Sequence, residues 1–196
     1  HRGQESSGIV ASTGKDIHAE ISMGLVAEVF TEERLKRLPG HIAIGHNRYS
    51  TTGASLLKNV QPVLVDYALG SLALAHNGNL VNASKLRAEL EAFGSIFRST
   101  MDSEVIVHLI AGSKESKVLD RIVEALYRIE GAYSLLVMTE KALIGIRDPS
   151  GFRPLSLGRL GDAYVLASES CAFDLIEATF VRDIEPGEIV VIDESG

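Results

Sequence analysis

The stretch Ser71-Leu72-Ala73-Leu74-Ala75-His76-Asn77-Gly78-Asn79-Leu80 runs from an apolar segment into a polar turn signal. Four apolar residues in succession, 72–75, are typical of a short strand that is buried on both faces. Asn77-Gly78 then predicts a turn, because glycine adopts positive φ freely and asparagine tolerates it. The commonest interpretation of such a pair is a hairpin loop.

The same pair also supports a chemical hypothesis. The Asn77 amide at a strand end and the backbone N–H of Gly78, which no side chain obstructs, would be two adjacent hydrogen-bond donors. Two convergent donors are what an oxyanion hole requires. The stretch alone leaves both interpretations open, and an Arg and an Asp at the ends of neighbouring elements favour the second.

The composition indicates one globular domain with its own core. The 196 residues are 45% hydrophobic and 23% charged, with a net charge of −7 and only 6% aromatic residues. This balance, without a dense Lys/Arg run, argues against a nucleic-acid groove and against a basic membrane-binding face. No apolar run of the printed residues reaches membrane-spanning length or resembles a signal peptide, so we expect neither. A single cysteine excludes an internal disulfide framework and predicts a reducing, cytoplasmic location.

The residue pattern predicts many strands joined by short turns, with a few helices grouped outside them. Such an order is typical of antiparallel sheets in an α+β fold rather than of alternating βαβ units. The predicted strands are 8–12, 17–23, 41–46, 63–67, 71–76, 132–139, 141–147, 154–157, 163–168, 178–182 and 189–193. The predicted helices are 25–38 with a break near Thr31, one after Asn82, one after Asp102, 118–129 and a short one at 171–176.

Two charged residues stand where they could bind a substrate. Arg48 follows a predicted strand, and its guanidinium could hold a carboxylate through two parallel hydrogen bonds, although a solvated loop charge is the simpler interpretation. Asp102 lies at a predicted helix N-terminus and could hold a substrate ammonium, although the helix dipole alone favours an acidic residue there.

The histidines and the single cysteine predict no further chemistry. The spacing of His41, His46, His76 and His108 matches no metal motif, and no cysteine pairs exist, so we predict no metal site. Cys171 lies in an apolar helical setting without an adjacent histidine, which predicts a buried structural thiol rather than a nucleophile.

Seven segments, in order along nearly the whole chain, give it a family resemblance. Four follow the pattern of class II glutamine amidotransferases, and three point to one branch of that class. The chain thereby resembles the glutaminase domain of the glutamine phosphoribosylpyrophosphate amidotransferase family. The segments are His1-Arg2-Gly3-Gln4-Glu5, Gly45-His46-Asn47-Arg48-Tyr49-Ser50-Thr51, Ala75-His76-Asn77-Gly78-Asn79-Leu80, Asp102-Ser103-Glu104, Arg147-Asp148-Pro149-Ser150-Gly151-Phe152-Arg153-Pro154-Leu155, Ala167-Ser168-Glu169-Ser170-Cys171-Ala172 and Pro186-Gly187-Glu188.

The resemblance implies a fold and a set of residue roles. The fold is the four-layer sandwich of N-terminal-nucleophile hydrolases, in which two antiparallel sheets lie between helical layers. Arg48 would bind the α-carboxylate of glutamine and Asp102 its α-ammonium, while the Asn77 side chain and the Gly78 N–H would form the oxyanion hole. Two further residues, Thr51 and Gly3, would help to shape the pocket.

The family pattern also places a nucleophile outside the printed residues. In the family, an N-terminal cysteine attacks the amide and its own α-amine acts as the base. The printed sequence begins at His1, and Cys171 belongs to a different segment of the pattern. The expectation is that residues 1–196 form a glutaminase domain without its N-terminal nucleophile segment and without the C-terminal phosphoribosyltransferase domain. The chain as given is then predicted to be inactive.

The resemblance further implies an activity for the complete protein. Glutamine would be hydrolysed, and the ammonia transferred to phosphoribosylpyrophosphate to give phosphoribosylamine, the first step of purine synthesis. Glutamine would be the partner of this domain, which needs no cofactor, and phosphoribosylpyrophosphate, Mg²⁺ and, as an open question, an iron–sulfur cluster would belong to the missing part of a homo-oligomer. The alternatives are a hexosamine- or asparagine-forming class II amidotransferase and a non-catalytic glutamine-binding module.

Overall fold

The computed structural model describes residues 5–48 and 56–196, and it confirms an antiparallel α+β fold. Its strands are β1 Ser6–Ser12, β2 Ile17–Met23, β3 Ile42–Arg48, β4 Val63–Tyr67, β5 Gly70–Leu80, β6 Gly131–Met138, β7 Leu143–Arg147, β8 Ser156–Leu160, β9 Ala163–Ala167, β10 Thr179–Asp183 and β11 Ile189–Ile192. Its helices are α1 Val26–Val29, α2 Glu32–Leu35, α3 Ala83–Ala92, α4 Ser103–Gly112, α5 Val118–Leu126 and α6 Cys171–Leu175.

The strands of the described ranges form three sheets. Five of them lie side by side in the order β11-β7-β6-β5-β4, and two smaller sheets have the orders β2-β1-β3 and β10-β8-β9. Every pair of neighbouring strands is antiparallel. The short turns between consecutive strands account for this arrangement, because antiparallel strands need no long crossover.

Strand β5 shows how the layers stack, because its side chains alternate between two cores. Leu72 and Leu74 belong to the large core that includes α3, α4 and α5. Ala73 and Ala75 belong to a second core, together with Val10 of β1 and Ile44 of β3. The five-stranded sheet therefore carries helices on one face and a smaller sheet on the other.

A third core and a short helix complete the sandwich. Leu155, Leu157 and Ile184 pack against the other half of the five-stranded sheet. Gly158, next to Leu157 on β8, faces the opposite way, and a Cβ there would lie 2.8 Å from the ring of Phe173 in α6. Since α6 covers the outer face of this sheet, the expected four layers are present, with the layer opposite the large sheet divided into two three-stranded parts.

Two sequence predictions are wrong. Asn77 and Gly78 do not form a hairpin turn at a strand end: β5 continues through them and pairs with Ser134 and Tyr133 of β6. Pairing with β6 thus overrides the local turn preference. Cys171 is exposed rather than buried, because α6 turns Phe173 towards the core.

The predicted break in the 25–38 helix is confirmed. Helix α1 ends before Phe30, and α2 begins after Thr31, whose hydroxyl accepts a hydrogen bond from the Arg34 N–H. Such a capping threonine starts a new helix rather than continuing the old one.

No helix of the described ranges is long and apolar enough to cross a membrane. Within residues 5–48 and 56–196, no three His, Cys, Asp or Glu side chains are grouped so that they could hold a metal ion.

Candidate active site

The site lies along the edge of β5 beyond the point where β4 begins. The first pair of that ladder joins Val63 to Leu74. Two residues further along β5, the Gln61 side chain takes the place of a neighbouring strand: its Oε1 accepts from the His76 N–H at 2.7 Å, and its Nε2 donates to the His76 carbonyl at 3.5 Å. The His46 ring lies 3.0 Å from the same carbonyl oxygen. His76 is therefore held firmly where the edge of the sheet opens.

The N–H of Gly78 is directed to this open edge. Backbone N–H groups alternate between the two edges of an antiparallel strand. Those of His76 and Leu80 both point away from β6, the first to Gln61 and the second to Asp102 at 2.9 Å. Gly78 lies two residues from each of them, so its N–H points in the same direction, into the space that β4 does not reach.

Asn77 supplies the second donor. Alternation places its side chain on the face of Ala73 and Ala75, between the two sheets. Its Nδ2 is buried and has no hydrogen-bond partner among the residues that the structure describes. A buried amide without a partner is costly. The nitrogen is therefore available to a ligand oxygen, next to the Gly78 N–H.

Asp102 precedes α4 and carries a fixed negative charge. Its Oδ2 accepts from Leu80, and its Oδ1 lies 3.4 Å from the Ser103 hydroxyl and 3.5 Å from Nδ1 of His76. Burial alone would raise the pKa of Asp102. The bond and charge of His76 and the N–H groups of Leu80 and Ser103 outweigh burial and hold the pKa below its usual 3.8. The carboxylate is ionised at neutral pH.

The His76 ring joins β5 to α4. It is 1% exposed, and its Nδ1 lies 3.2 Å from the Ser103 hydroxyl as well as near Asp102. Its Nε2 is buried without a partner in the described part of the chain, and a Cβ at Gly78 would lie 2.9 Å from it. The ring therefore lies between Gly78 and the acidic group.

Arg48 approaches from the opposite layer. It ends β3 and is half-buried, and its Nη1 donates to the carbonyl of Asn59 at 2.9 Å. A fixed cation at the end of one sheet and a fixed anion at a helix start thus accompany the two donors of β5. This set matches a ligand that carries a carboxylate, an ammonium and a polarisable carbonyl.

Four of the predicted site residues are thus placed at the same end of the sandwich: Arg48, Asn77, Gly78 and Asp102. Gly3 and Thr51 lie outside the described residues. Sequence analysis missed Gln61 and Asn59, because each acts through partners far along the chain and no local pattern indicates them. The spacing of His76 matches no metal motif, and its position beside Asn77-Gly78 is the one signal in the sequence that it belongs to the site.

The segment 147–155 supports the site without belonging to it. Asp148 is fully buried and accepts from the N–H groups of Ser150, Phe152 and Arg153 at 3.0–3.1 Å. It also holds Tyr133, the partner of Gly78, through a backbone bond of 2.9 Å and a side-chain bond of 3.3 Å. This motif fixes β6 beside Asn77 and Gly78.

Comparison with known proteins adds a family to this geometry. Residues 46–174 match the family model described as a glutamine amidotransferase domain. The whole chain aligns over 198 residues with amidophosphoribosyltransferase 2, chloroplastic, from Arabidopsis thaliana. The two are 55% identical there, and the alignment covers 35% of that protein. It also aligns over 197 residues with the amidophosphoribosyltransferase of Bacillus subtilis, with 50% identity, and this alignment covers 41% of that protein.

A solved structure has the same fold. The glutamine phosphoribosylpyrophosphate amidotransferase from B. subtilis, complexed with ADP and GMP, superposes on the whole chain with a TM-score of 0.94 and 50% identity, covering 42% of that protein. The chain thus spans about two-fifths of the length of these relatives.

Proposed function

Because this chain belongs to the glutamine amidotransferase domain family, we propose that it is the glutaminase part of an amidophosphoribosyltransferase. In the complete protein, glutamine is hydrolysed and its ammonia is transferred to phosphoribosylpyrophosphate to give phosphoribosylamine, the first step of purine synthesis. Identity of 50–55% over the whole chain to enzymes of that name supports this assignment over other class II amidotransferases.

The proposed roles follow the charges and donors of the site. Arg48 binds the α-carboxylate of glutamine, and Asp102 binds its α-ammonium. The Asn77 amide and the Gly78 N–H stabilise the oxyanion that forms when the side-chain carbonyl is attacked. Gly3 and Thr51 complete the pocket, a role that rests on the family pattern alone.

One observation carries the proposal above the others. A buried Asn77 Nδ2 without a partner in the described residues stands beside a backbone N–H that faces an open strand edge. Two such donors are poorly explained by stability, because a fold normally satisfies its buried polar groups. They are well explained by a developing negative charge on a ligand oxygen.

The nucleophile is proposed to be an N-terminal cysteine outside the printed residues, with its α-amine as base. An α-amine has a pKa of roughly 7.7–8.0, so a useful fraction is unprotonated at neutral pH. Residues 1–196 without such a cysteine are then inactive. Cys171 is exposed and lies on α6, which packs on the β8–β10 sheet rather than at the end of β5.

Cofactors and partners are proposed for the rest of the protein. Mg²⁺ would accompany phosphoribosylpyrophosphate there. Whether the protein holds an iron–sulfur cluster is left open; any such cluster would also lie there, because its four thiolates cannot come from one cysteine. We also propose a cytoplasmic homo-oligomer, a proposal that rests on the family resemblance and the single cysteine alone.

The test is an acceptor assay on the full-length protein. With glutamine and phosphoribosylpyrophosphate, we expect glutamate and consumed phosphoribosylpyrophosphate in equal amounts. Turnover only with a hexose phosphate as acceptor would favour the hexosamine-forming alternative. Turnover only with aspartate as acceptor would favour the asparagine-forming alternative. Glutamine binding without any turnover would favour a non-catalytic glutamine-binding module.

A further inference from the structure

Asn59 lies fully buried between the two charged groups of the site. It ends the 3-10 turn Leu57–Asn59, which is closed by bonds from the Asn59 N–H to Leu56 at 2.8 Å and from the Val60 N–H to Leu57 at 3.2 Å. A buried residue in a closed turn has a well-defined backbone position.

On one side, Asn59 orients the cation. Its backbone carbonyl accepts from Nη1 of Arg48 at 2.9 Å. Because the acceptor belongs to the main chain, the turn sets the direction of the guanidinium. Because the guanidinium is planar, fixing Nη1 also restricts the directions of its other N–H groups.

On the other side, the Asn59 side chain holds the segment that leads to the anion. Its Oδ1 accepts from the Thr100 N–H at 3.1 Å, and its Nδ2 donates to the Thr100 hydroxyl at 3.1 Å. Glu104 of α4 grips the preceding residue, accepting from the Ser99 N–H at 2.8 Å and from its hydroxyl at 2.5 Å. Asp102 follows Thr100 by two residues and is therefore carried by a segment tied to Asn59.

We propose that Asn59 is a positioning residue that fixes the spacing between the Arg48 guanidinium and the Asp102 carboxylate. The pocket then selects ligands that carry both an α-carboxylate and an α-ammonium. Two charged contacts add fully only when their separation matches the ligand, and small misplacements weaken both. This inference rests on the proposed roles of Arg48 and Asp102.

The test measures ligand selectivity in the full-length protein. We compare kcat/KM for glutamine with kcat/KM for 4-carbamoylbutanoate, which lacks the ammonium, and for 4-aminobutanamide, which lacks the carboxylate. Asn59→Ala is expected to lower the preference for glutamine over each analogue by about tenfold, the effect of losing the neutral hydrogen bonds between the Asn59 side chain and Thr100. The change should appear mainly in KM for glutamine.

A merely structural role would not give this result. Partial unfolding lowers the active fraction equally for all three substrates and leaves their ratios unchanged. Thr100→Val alters an exposed residue. It keeps the bond from the backbone N–H to Asn59 and loses only the two bonds of the hydroxyl, so we expect a loss of preference of about threefold. Thr139→Ala is the matched control: its hydroxyl accepts from two N–H groups of the β6–β7 turn, at the other end of the sheet, and its preference should equal that of the wild type.

Unchanged preference in both Asn59→Ala and Thr100→Val, with preference lost in Arg48→Ala and Asp102→Asn, would overturn the inference and leave the proposed function standing. A wild-type protein that does not prefer glutamine to either analogue would instead contradict the proposed function itself.

Discussion

Gly78 lies directly opposite Tyr133 in the antiparallel pair of β5 and β6, so close that a Cβ at Gly78 would be 2.7 Å from the Tyr133 Cα and 2.0 Å from the carbonyl oxygen of Ala132. The φ of Gly78 is +155°, which L-residues with side chains rarely adopt. Only glycine therefore allows β5 to present its N–H at this point without separating from β6.

Gly78→Ala is expected to remove glutamine hydrolysis and to lower the free energy of unfolding by about 1–3 kcal/mol, the usual cost of overpacking. Glutaminase assays and urea unfolding of the full-length protein measure the two effects. Gly112→Ala is the matched control: it lies at the end of α4 with open space around it, so its stability should be unchanged or slightly higher. Equal behaviour of the two variants would show that the contact between the strands is not tight.

Asn77→Ala tests the oxyanion hole. The amide is needed mainly when the carbonyl oxygen becomes negative, so kcat should fall roughly 10²–10³-fold while KM changes little. Steady-state kinetics with glutamine give both values. Synthesis of phosphoribosylamine from added ammonia, which does not need this pocket, should be retained in the full-length variant. Equal glutamine turnover in variant and wild type would contradict the assignment.

Arg48→Ala and Asp102→Asn test the contacts to the substrate charges. Both contacts exist in the ground state and the transition state, so each substitution should raise KM more than it lowers kcat. The expected loss is about 2–4 kcal/mol each, as for one partner of a buried charged pair. Arg48→Lys should recover only part of it, because an ammonium cannot make the two-pronged contact. Parallel loss of ammonia-dependent activity would instead indicate a folding role.

The low pKa of Asp102 predicts a pH dependence of stability. Since the folded-state pKa lies below the usual 3.8, the ionised group stabilises the fold above about pH 4, and this contribution is lost as the pH falls through the folded-state value. Urea unfolding of wild type and Asp102→Asn should therefore differ most near neutral pH and converge below about pH 4. A stability difference that stays constant from neutral to acid pH would contradict this prediction.

Cys171 and Phe173 give a contrasting pair on α6. Cys171→Ala should change the unfolding free energy by less than about 0.5 kcal/mol and leave glutamine turnover intact, because the thiol is exposed. Phe173→Ala, at a side chain that is 1% exposed, should cost about 3–5 kcal/mol. Thermal unfolding of both variants checks the pair. Loss of glutamine turnover in the full-length Cys171→Ala variant would instead indicate that this thiol is the nucleophile.

The elements were largely predictable because their signals are local. Strands such as Ile17–Met23 and Val63–Tyr67 coincide with the predicted ranges, and Thr31 marks the break between α1 and α2. Asn77-Gly78 misled the prediction, since its turn preference is also local whereas its pairing with β6 depends on residues more than fifty positions away.

The site was predictable where its residues lie in local patterns. The chemistry of Arg48, Asn77, Gly78 and Asp102 in their local sequence already pointed to a ligand, and the resemblance then implied a role for each. The bonds of Gln61 to His76 and of Asn59 to Thr100 span 15 and 41 positions, and no periodicity or capping rule indicates such contacts. Cys171 was misjudged because a five-residue helix is too short for its apolar face to be identified from spacing.

The most direct test of the glutamine pocket is a crystal structure of the full-length protein with glutamate, the product that fills the pocket without reacting. We predict the α-carboxylate on the Arg48 guanidinium, the α-ammonium on the Asp102 carboxylate, and one γ-carboxylate oxygen about 2.7–3.1 Å from both the Asn77 Nδ2 and the Gly78 N–H. Glutamate bound elsewhere, or bound here with its γ-carboxylate turned away from Asn77 and Gly78, would contradict the account.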